Sequence, residues 1–67
     1  MTLGSYHKMI RKQKRIKLVR MAEAVGVSPS VISRFENNVT SPPYFRIEDF
    51  FNYLGFKVVL VDKNQLQ

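Results

Sequence analysis

Two stretches of the chain repeat apolar residues at positions i, i+3, i+4 and i+7, which lie on one face of a helix. The apolar residues are Leu18, Met21, Ala22 and Val25 in the first stretch and Ile47, Phe50, Phe51 and Leu54 in the second. Gly26 and Gly55 follow directly, and glycine commonly stands just past a helix end because positive φ costs it little. The pattern therefore predicts helices over residues 18–25 and 44–54.

Capping residues predict two further helices. Ser5 is a candidate N-cap for a helix over residues 6–14, since its hydroxyl can accept a hydrogen bond from a first-turn amide. The pair Ser28-Pro29 marks a second helix start, with a hydroxyl at the N-cap and proline at the first helical position. The pair Asn37-Asn38 ends this helix, because asparagine tolerates left-handed backbone.

The β-branched and apolar run over residues 56–61 predicts a strand. No other segment of the sequence resembles a strand, and a lone strand leaves its backbone donors and acceptors unpaired. We expect two copies of the chain to pair these strands antiparallel in a two-fold homodimer; the alternative is a run that packs on its own helices. The predicted dimer-interface residues are Phe56, Val58, Val59, Leu60 and Val61.

The predicted fold is therefore mainly α, with four or five helices and a C-terminal β-strand that pairs across a homodimer. We divide the chain into a helical domain over residues 1–55, a dimerisation strand over residues 56–62 and a polar tail over residues 63–67. A single core in a chain of 67 residues rarely supplies more than about 3–5 kcal/mol, so dimerisation would add needed stability.

Composition argues against several classes of function. The chain has no cysteine and one histidine, which excludes disulfides and thiolate zinc sites, so we expect no metal and no cofactor. No nucleophile and base stand at a catalytic spacing, so we expect a protein that is not an enzyme, with His7 at the surface or its boundary. The sequence has no apolar run of about 20 residues and no signal-peptide core, so we expect a cytoplasmic protein with no membrane partner.

Positive charge is concentrated in the first third of the chain. Seven of the 11 lysines and arginines lie within residues 8–20, and the first acidic residue is Glu23. Such a segment raises the local concentration of phosphate-bearing ligands, which favours a polyanion as partner. Two alternatives remain open, a solvated helix face and an anionic membrane surface, although the bases surround the segment rather than forming one face.

Residues 18–37 have the spacing of two helices joined by a tight turn. Ala22 is small where the two helices must approach, and Gly26 makes the turn four residues later. The apolar residues that hold the second helix against the first are Val27, Ile32 and Phe35. This arrangement presents residues 29–34 outward, on a helix that can enter the DNA major groove by its N-terminal end.

With this motif in place, the sequence resembles the Xre/Cro/CI family of helix-turn-helix regulators over residues 10–55. The segments that carry the resemblance are Ile10-Arg11, Met21-Ala22, Val25-Gly26-Val27-Ser28, the run from Ile32 to Asn37, and the run from Pro42 to Gly55. Residues 32–38, with Phe50-Phe51 and the apolar run after them, look most like HipB-type antitoxins. The resemblance implies a lambda-repressor-like helix-turn-helix domain, a dimer and double-stranded DNA as partner.

The resemblance also assigns a structural pair and exposes three departures around the start of the second helix. Arg11 and Glu36 resemble a family pair that forms a salt bridge between the first helix and the recognition helix. Leu18 stands where the family usually has glutamine, Arg15 where it has glycine, and Lys17 where it has serine or threonine. The charges of Arg15 and Lys17 can replace the family's usual phosphate contacts at this helix start.

Predicted DNA contacts fall into two groups. Arg34 should face outward and read guanine O6 and N7 through two hydrogen bonds, with a phosphate contact alone as the alternative. Val31 either touches a thymine methyl or is half-buried, and Ser28 has a helix-start position that suits phosphate. The predicted base contacts are Pro29, Ser30, Val31, Ser33 and Arg34. The predicted phosphate contacts are Lys14, Arg15, Lys17, Arg20, Ser28, Asn38 and Thr40.

These features together predict a sequence-specific DNA-binding regulator of transcription. We expect a dimeric repressor on a palindromic operator, with repression of its own operon implied by the resemblance. The alternative is an antitoxin or other protein-binding module whose main partner is a toxin or another protein. Phe45 and Tyr53, off the apolar stripe of the last helix, would be exposed for such a partner.

Overall fold

The computed structural model describes residues 1–65, which form four α-helices, so the prediction of a mainly α fold is confirmed. The helices are α1 over Leu3–Gln13, α2 over Leu18–Val25, α3 over Pro29–Glu36 and α4 over Tyr44–Tyr53, followed by a short 3-10 turn over Lys63–Gln65. The predicted bounds of α2 are met, and α4 ends one residue before the predicted end. The last two residues of the predicted polar tail, 66–67, lie outside the described residues.

Helix α1 begins earlier than predicted, and its N-cap is Thr2 rather than Ser5. The Ser5 N–H donates to Thr2 Oγ1 over 3.1 Å, so Ser5 lies inside the first turn. Both residues carry a hydroxyl that can cap a helix, and local sequence does not separate them. The side chain of His7 is fully buried on the packed side of this helix, so the predicted surface or boundary position of His7 is wrong.

The turn between α2 and α3 depends on Gly26. This residue adopts φ +77° and ψ +32°, a left-handed conformation that is unfavourable for residues with a side chain. The Val27 N–H donates back to the Ala22 carbonyl over 3.0 Å, which closes the helix end. Ala22 is itself buried, and its small side chain lets α2 and α3 pack together.

A hydrophobic core between the helices fixes which face of α3 points outward. Its buried residues are Ile10, Met21, Ala22, Ile32, Phe35, Phe50, Phe51 and Leu54. The rings of Phe35 and Phe50, both in this cluster, lie 5.5 Å apart between centroids. Because α3 contributes its Ile32 and Phe35 side to the core, its opposite side faces solvent. No helix within residues 1–65 combines the length and the apolarity needed to cross a membrane.

A glycine allows α1 to approach the C-terminal end of α3. Gly4 is buried, and a Cβ at this position would overlap the main-chain carbonyl of Phe35. At the same place, Thr2 Oγ1 donates to Asn38 Oδ1 over 2.6 Å. The start of α1 therefore rests directly on the residues that end α3.

Residues 56–62 form neither helix nor strand in the described chain, so the structure does not support the predicted β-strand. Tyr44 Oη donates to the Val58 carbonyl over 3.0 Å, and the Val58 side chain packs against the core. Leu60 is 84 % exposed, and Val59 and Val61 are exposed as well. A strand requires a ladder of hydrogen bonds to a neighbour, and the other described residues of this chain provide none. Pairing across a dimer stays a prediction.

Candidate nucleic-acid interface

The outward face of α3 is polar and carries one guanidinium. Ser30 and Arg34 are exposed and lie one turn apart, and Asn37 continues the same face at the next turn. Ser33 and Val31 are half-buried at its edges. The structure therefore brings four of the five predicted base-contact residues to this exposed face or its edges, and the fifth, Pro29, opens the helix.

The start of α3 is not capped by a side chain. Ser28 occupies the N-cap position with extended backbone, but its hydroxyl lies 3.1 Å from the Ser30 hydroxyl and forms no capping bond. The predicted capping bond of Ser28 is therefore wrong, although its position is as predicted. Without a side-chain acceptor, amides of the first turn remain available to an anion, which the helix dipole also favours.

The turn between α1 and α2 carries exposed positive charge. Lys14 is the C-cap of α1, and Lys17 is the N-cap of α2 without a side-chain capping bond. Between them, Arg15 adopts φ +58°, in the left-handed region that suits glycine better than arginine. The exposed basic side chains of this turn and the start of α2 are Lys14, Arg15, Lys17 and Arg20. The turn thus places several predicted phosphate contacts beside one another in the chain.

The residues after α3 are partly held by α1. Asn38 adopts φ +63°, and its side-chain amide donates to Ser5 Oγ over 3.3 Å while its oxygen accepts from Thr2. The side chain of this predicted phosphate contact is thus already engaged within the protein. Thr40, also a predicted phosphate contact, is exposed, and its N–H donates to the Arg34 carbonyl over 3.4 Å.

Glu36, at the end of α3, is bound by two side chains of α1. Arg11 donates from Nε to Oε2 over 2.8 Å and from Nη2 to Oε1 over 2.9 Å, a bidentate pair. His7 Nδ1 lies 2.7 Å from Oε2. Burial alone would raise the pKa of Glu36, but the hydrogen bonds from His7 and Arg11 outweigh it and hold the pKa below its ordinary value. The ionised carboxylate therefore ties α3 to α1.

Two α1 residues that contact the end of α3, His7 and Lys8, were not predicted from the sequence. His7 shares its helix face with Ile10 and Arg11, at i, i+3 and i+4, and that spacing is the signal that places it on the packed side. Lys8 donates from Nζ to Asn37 Oδ1 over 3.1 Å, a contact between α1 and the end of α3 that no local signal predicts.

The chain was compared with known protein families, curated proteins and solved structures. A family model described as Helix-turn-helix matches residues 8–60, which include most of α1 and all of α2, α3 and α4. Comparisons with curated proteins and with solved structures give no significant match. The matched range contains the tight turn at Gly26, the outward face of α3 and the basic turn before α2.

Proposed function

Because the chain belongs to the helix-turn-helix family of the Xre/Cro/CI type, we propose that it binds DNA sequence-specifically and regulates transcription. One observation carries the proposal: the outward face of α3 is polar and carries the Arg34 guanidinium. The N-terminal end of the same helix has no side-chain cap. An α-helix fits the major groove of B-DNA, where each base pair presents a distinct pattern of donors and acceptors.

Base reading is assigned to the exposed side of α3. Arg34 pairs with guanine through two hydrogen bonds, and the hydroxyls of Ser30 and Ser33 accept or donate to neighbouring bases. Pro29 and Val31 contact thymine methyl groups at the start of the helix. These five residues are the proposed base contacts.

Backbone contacts are assigned to the basic turn and the two ends of α3. The proposed phosphate contacts are Lys14, Arg15, Lys17, Arg20, Ser28, Asn38 and Thr40. With about four phosphates neutralised per protomer, a dimer releases enough counterions to give a log–log salt slope of about −7. A slope shallower than about −3 would contradict this interface.

The proposed oligomer is a two-fold homodimer formed through residues 56–62. Its apolar side chains Val59, Leu60 and Val61 are exposed in one chain, which supports their burial against a second copy. Two recognition helices related by this axis would lie about 34–36 Å apart and read a palindromic operator. Repression then follows from exclusion of polymerase, and repression of the chain's own operon is the family-based expectation.

An antitoxin is the second candidate, and one observation favours it. Phe45 is 59 % exposed and Tyr53 is 42 % exposed on α4, a helix that carries none of the proposed DNA contacts. Large exposed aromatic side chains suit a protein partner such as a toxin. DNA binding and partner binding use different helices here, so the two functions are compatible.

Selection from random duplex DNA tests the proposal. The purified chain is mixed with the pool at about 150 mM salt, near physiological ionic strength, and the bound fraction is sequenced. An enriched inverted repeat supports a dimeric regulator, and its half-site spacing tests the proposed dimer geometry. Binding without enrichment would contradict sequence-specific regulation. A stoichiometric protein recovered with the chain from its host would support the antitoxin, whether or not DNA is also bound.

A further inference from the structure

We propose that Lys8 and Lys12 of α1 form a further phosphate-binding site for the DNA backbone at the C-terminal end of α3, where Asn37 holds Lys8 in place. This site, the α1–α3 groove, is an open depression of about 400 Å³. Lys8, Lys12 and Ser5 line it from α1, and Asn37 and Asn38 line it from the end of α3. The inference rests on the proposed function, because it assigns additional contacts to the same ligand.

The two lysines are positioned as a pair. They lie four residues apart on α1, so their side chains emerge from the same helix face one turn apart. Lys8 Nζ donates to Asn37 Oδ1 over 3.1 Å, which holds the ammonium at the groove. An ammonium carries three donor hydrogens, so this bond leaves donors for an anion.

The two lysine charges of the groove favour an anion and oppose the negative C-terminal end of the α3 dipole. Within residues 1–65 neither Lys8 nor Lys12 forms a salt bridge with a carboxylate. Glu36 also lines the groove, but its carboxylate is buried and already bound by Arg11 and His7. Two neighbouring ammonium groups without an anion partner repel each other, and a phosphate between them would relieve that repulsion.

The groove continues the proposed DNA-reading face. Asn37 follows Arg34 by one turn, and its side-chain amide donates to the Ser33 carbonyl over 2.9 Å. Lys8 contacts Asn37, so the groove lies at the C-terminal end of α3, at the other end of the helix from the uncapped start at Ser28. An eight-residue helix is about 12 Å long, close to the width of the major groove. Phosphate contacts at both ends of α3 would then reach the two backbones that border one major groove.

The salt dependence of binding separates this inference from the proposed function. Lys8→Gln, Lys12→Gln and the double variant are compared with wild type and with Lys63→Gln, a matched loss of one charge in the exposed 3-10 turn. Lys8→Arg keeps the charge and tests the role of the ammonium position. Fluorescence anisotropy measures affinity for the selected operator and for a random duplex over a series of salt concentrations.

Additional phosphate contacts make the log–log salt slope of wild type steeper than it would be with the contacts assigned above alone. With two lysines added per protomer, we expect a dimer slope of about −11 rather than −7. Each Lys→Gln change should flatten the slope by about one unit per bound protomer, while Lys8→Arg and Lys63→Gln leave it unchanged. The loss of affinity should be equal on operator and random duplex, because phosphate contacts carry no sequence information.

Two results would overturn the inference while the proposed function stands. In the first, wild type binds its operator but Lys8→Gln and Lys12→Gln have the slope of Lys63→Gln, so neither lysine meets a phosphate. In the second, either substitution changes the selected sequence, so the lysines read bases instead. If wild type binds neither operator nor random duplex, the proposed function and the inference both fail.

Discussion

His7 Nδ1 lies 2.7 Å from Glu36 Oε2, and both side chains are buried between α1 and the end of α3. The ionised carboxylate can only accept, so the imidazole donates this hydrogen bond. The other ring nitrogen lies 3.4 Å from the Phe50 carbonyl, which brings α4 into the same contact. Arg11 binds both carboxylate oxygens, so one acidic residue ties the helix proposed to read DNA to α1.

Replacement of the Glu36 carboxylate should destabilise the fold strongly. Glu36→Gln leaves the buried Arg11 guanidinium without its anion, and breaking a buried pair in this way costs about 3–5 kcal/mol. Urea denaturation followed by circular dichroism measures the change in free energy of unfolding. Glu23→Gln, an exposed glutamate on α2, is the matched control and should stay within about 0.5 kcal/mol. A loss below about 1 kcal/mol for Glu36→Gln would contradict the structural role of the pair.

The lowered pKa of Glu36 predicts a loss of stability on acidification. Hydrogen bonds from His7 and Arg11 hold this pKa below its value in the unfolded chain, so the unfolded state takes up the proton first as pH falls. The contribution of Glu36 is therefore complete above the unfolded-state pKa and disappears as pH falls through the lower folded-state pKa. Chemical denaturation from pH 7 downward should give a steeper decline for wild type than for Glu36→Gln. Parallel curves would show that Glu36 does not carry the effect.

Local signals predicted the centre of the molecule well. Gly26 at the end of α2 and the pair Ser28-Pro29 at the start of α3 fix backbone conformations within a few residues, so the turn could be read from the sequence. The outward direction of Arg34 follows from Ile32 and Phe35 on the opposite side of the same helix. The periodicity of apolar residues is sufficient to predict which side of a single helix is buried.

Contacts between distant segments could not be read in this way. Thr2 and Asn38 are 36 residues apart, and their hydrogen bond depends on how α1 packs against α3. The burial of His7 depends on the same packing, and a single histidine gives no sign of a partner 29 residues away. The apolar composition of residues 56–61 indicates a strand, but a strand needs a neighbour that composition does not provide.

Close packing at Gly4 predicts that even one added methyl group is harmful. In Gly4→Ala the new Cβ would overlap the Phe35 carbonyl, which is backbone and cannot move aside cheaply. Overpacking of this kind typically costs about 1–3 kcal/mol, which exceeds the helix propensity gained by replacing glycine with alanine. Thermal and urea denaturation should both report a less stable protein. Gln13→Ala, at the exposed end of α1, is the control; equal stability of the two variants would contradict the close approach.

Arg15 has an unfavourable backbone conformation and is also a proposed DNA contact. Two variants separate the effect of the backbone conformation from the effect of the side chain. Arg15→Gly should raise the free energy of unfolding by up to about 1 kcal/mol, since φ +58° is strained for a side chain but not for glycine. Arg15→Ala keeps a Cβ and should give no such gain. Both variants lose the guanidinium, so both should flatten the salt slope of DNA binding by about one unit per protomer. If the glycine variant is no more stable than the alanine variant, the left-handed conformation carries no strain.

Substitutions of Arg34 test directly whether α3 recognises DNA bases. Arg34→Ala should relax selection at one base pair in each half-site and reduce discrimination there by about 1–3 kcal/mol, because the bidentate contact to guanine is lost. Arg34→Lys keeps the charge but not the planar fork, so it should retain affinity for random duplex while losing the preference for guanine. Repeating the selection with each variant measures the base preference, and fluorescence anisotropy measures the affinity for random duplex. A uniform loss on every sequence, with the consensus unchanged, would make Arg34 a phosphate contact and transfer base reading to Ser30 and Ser33.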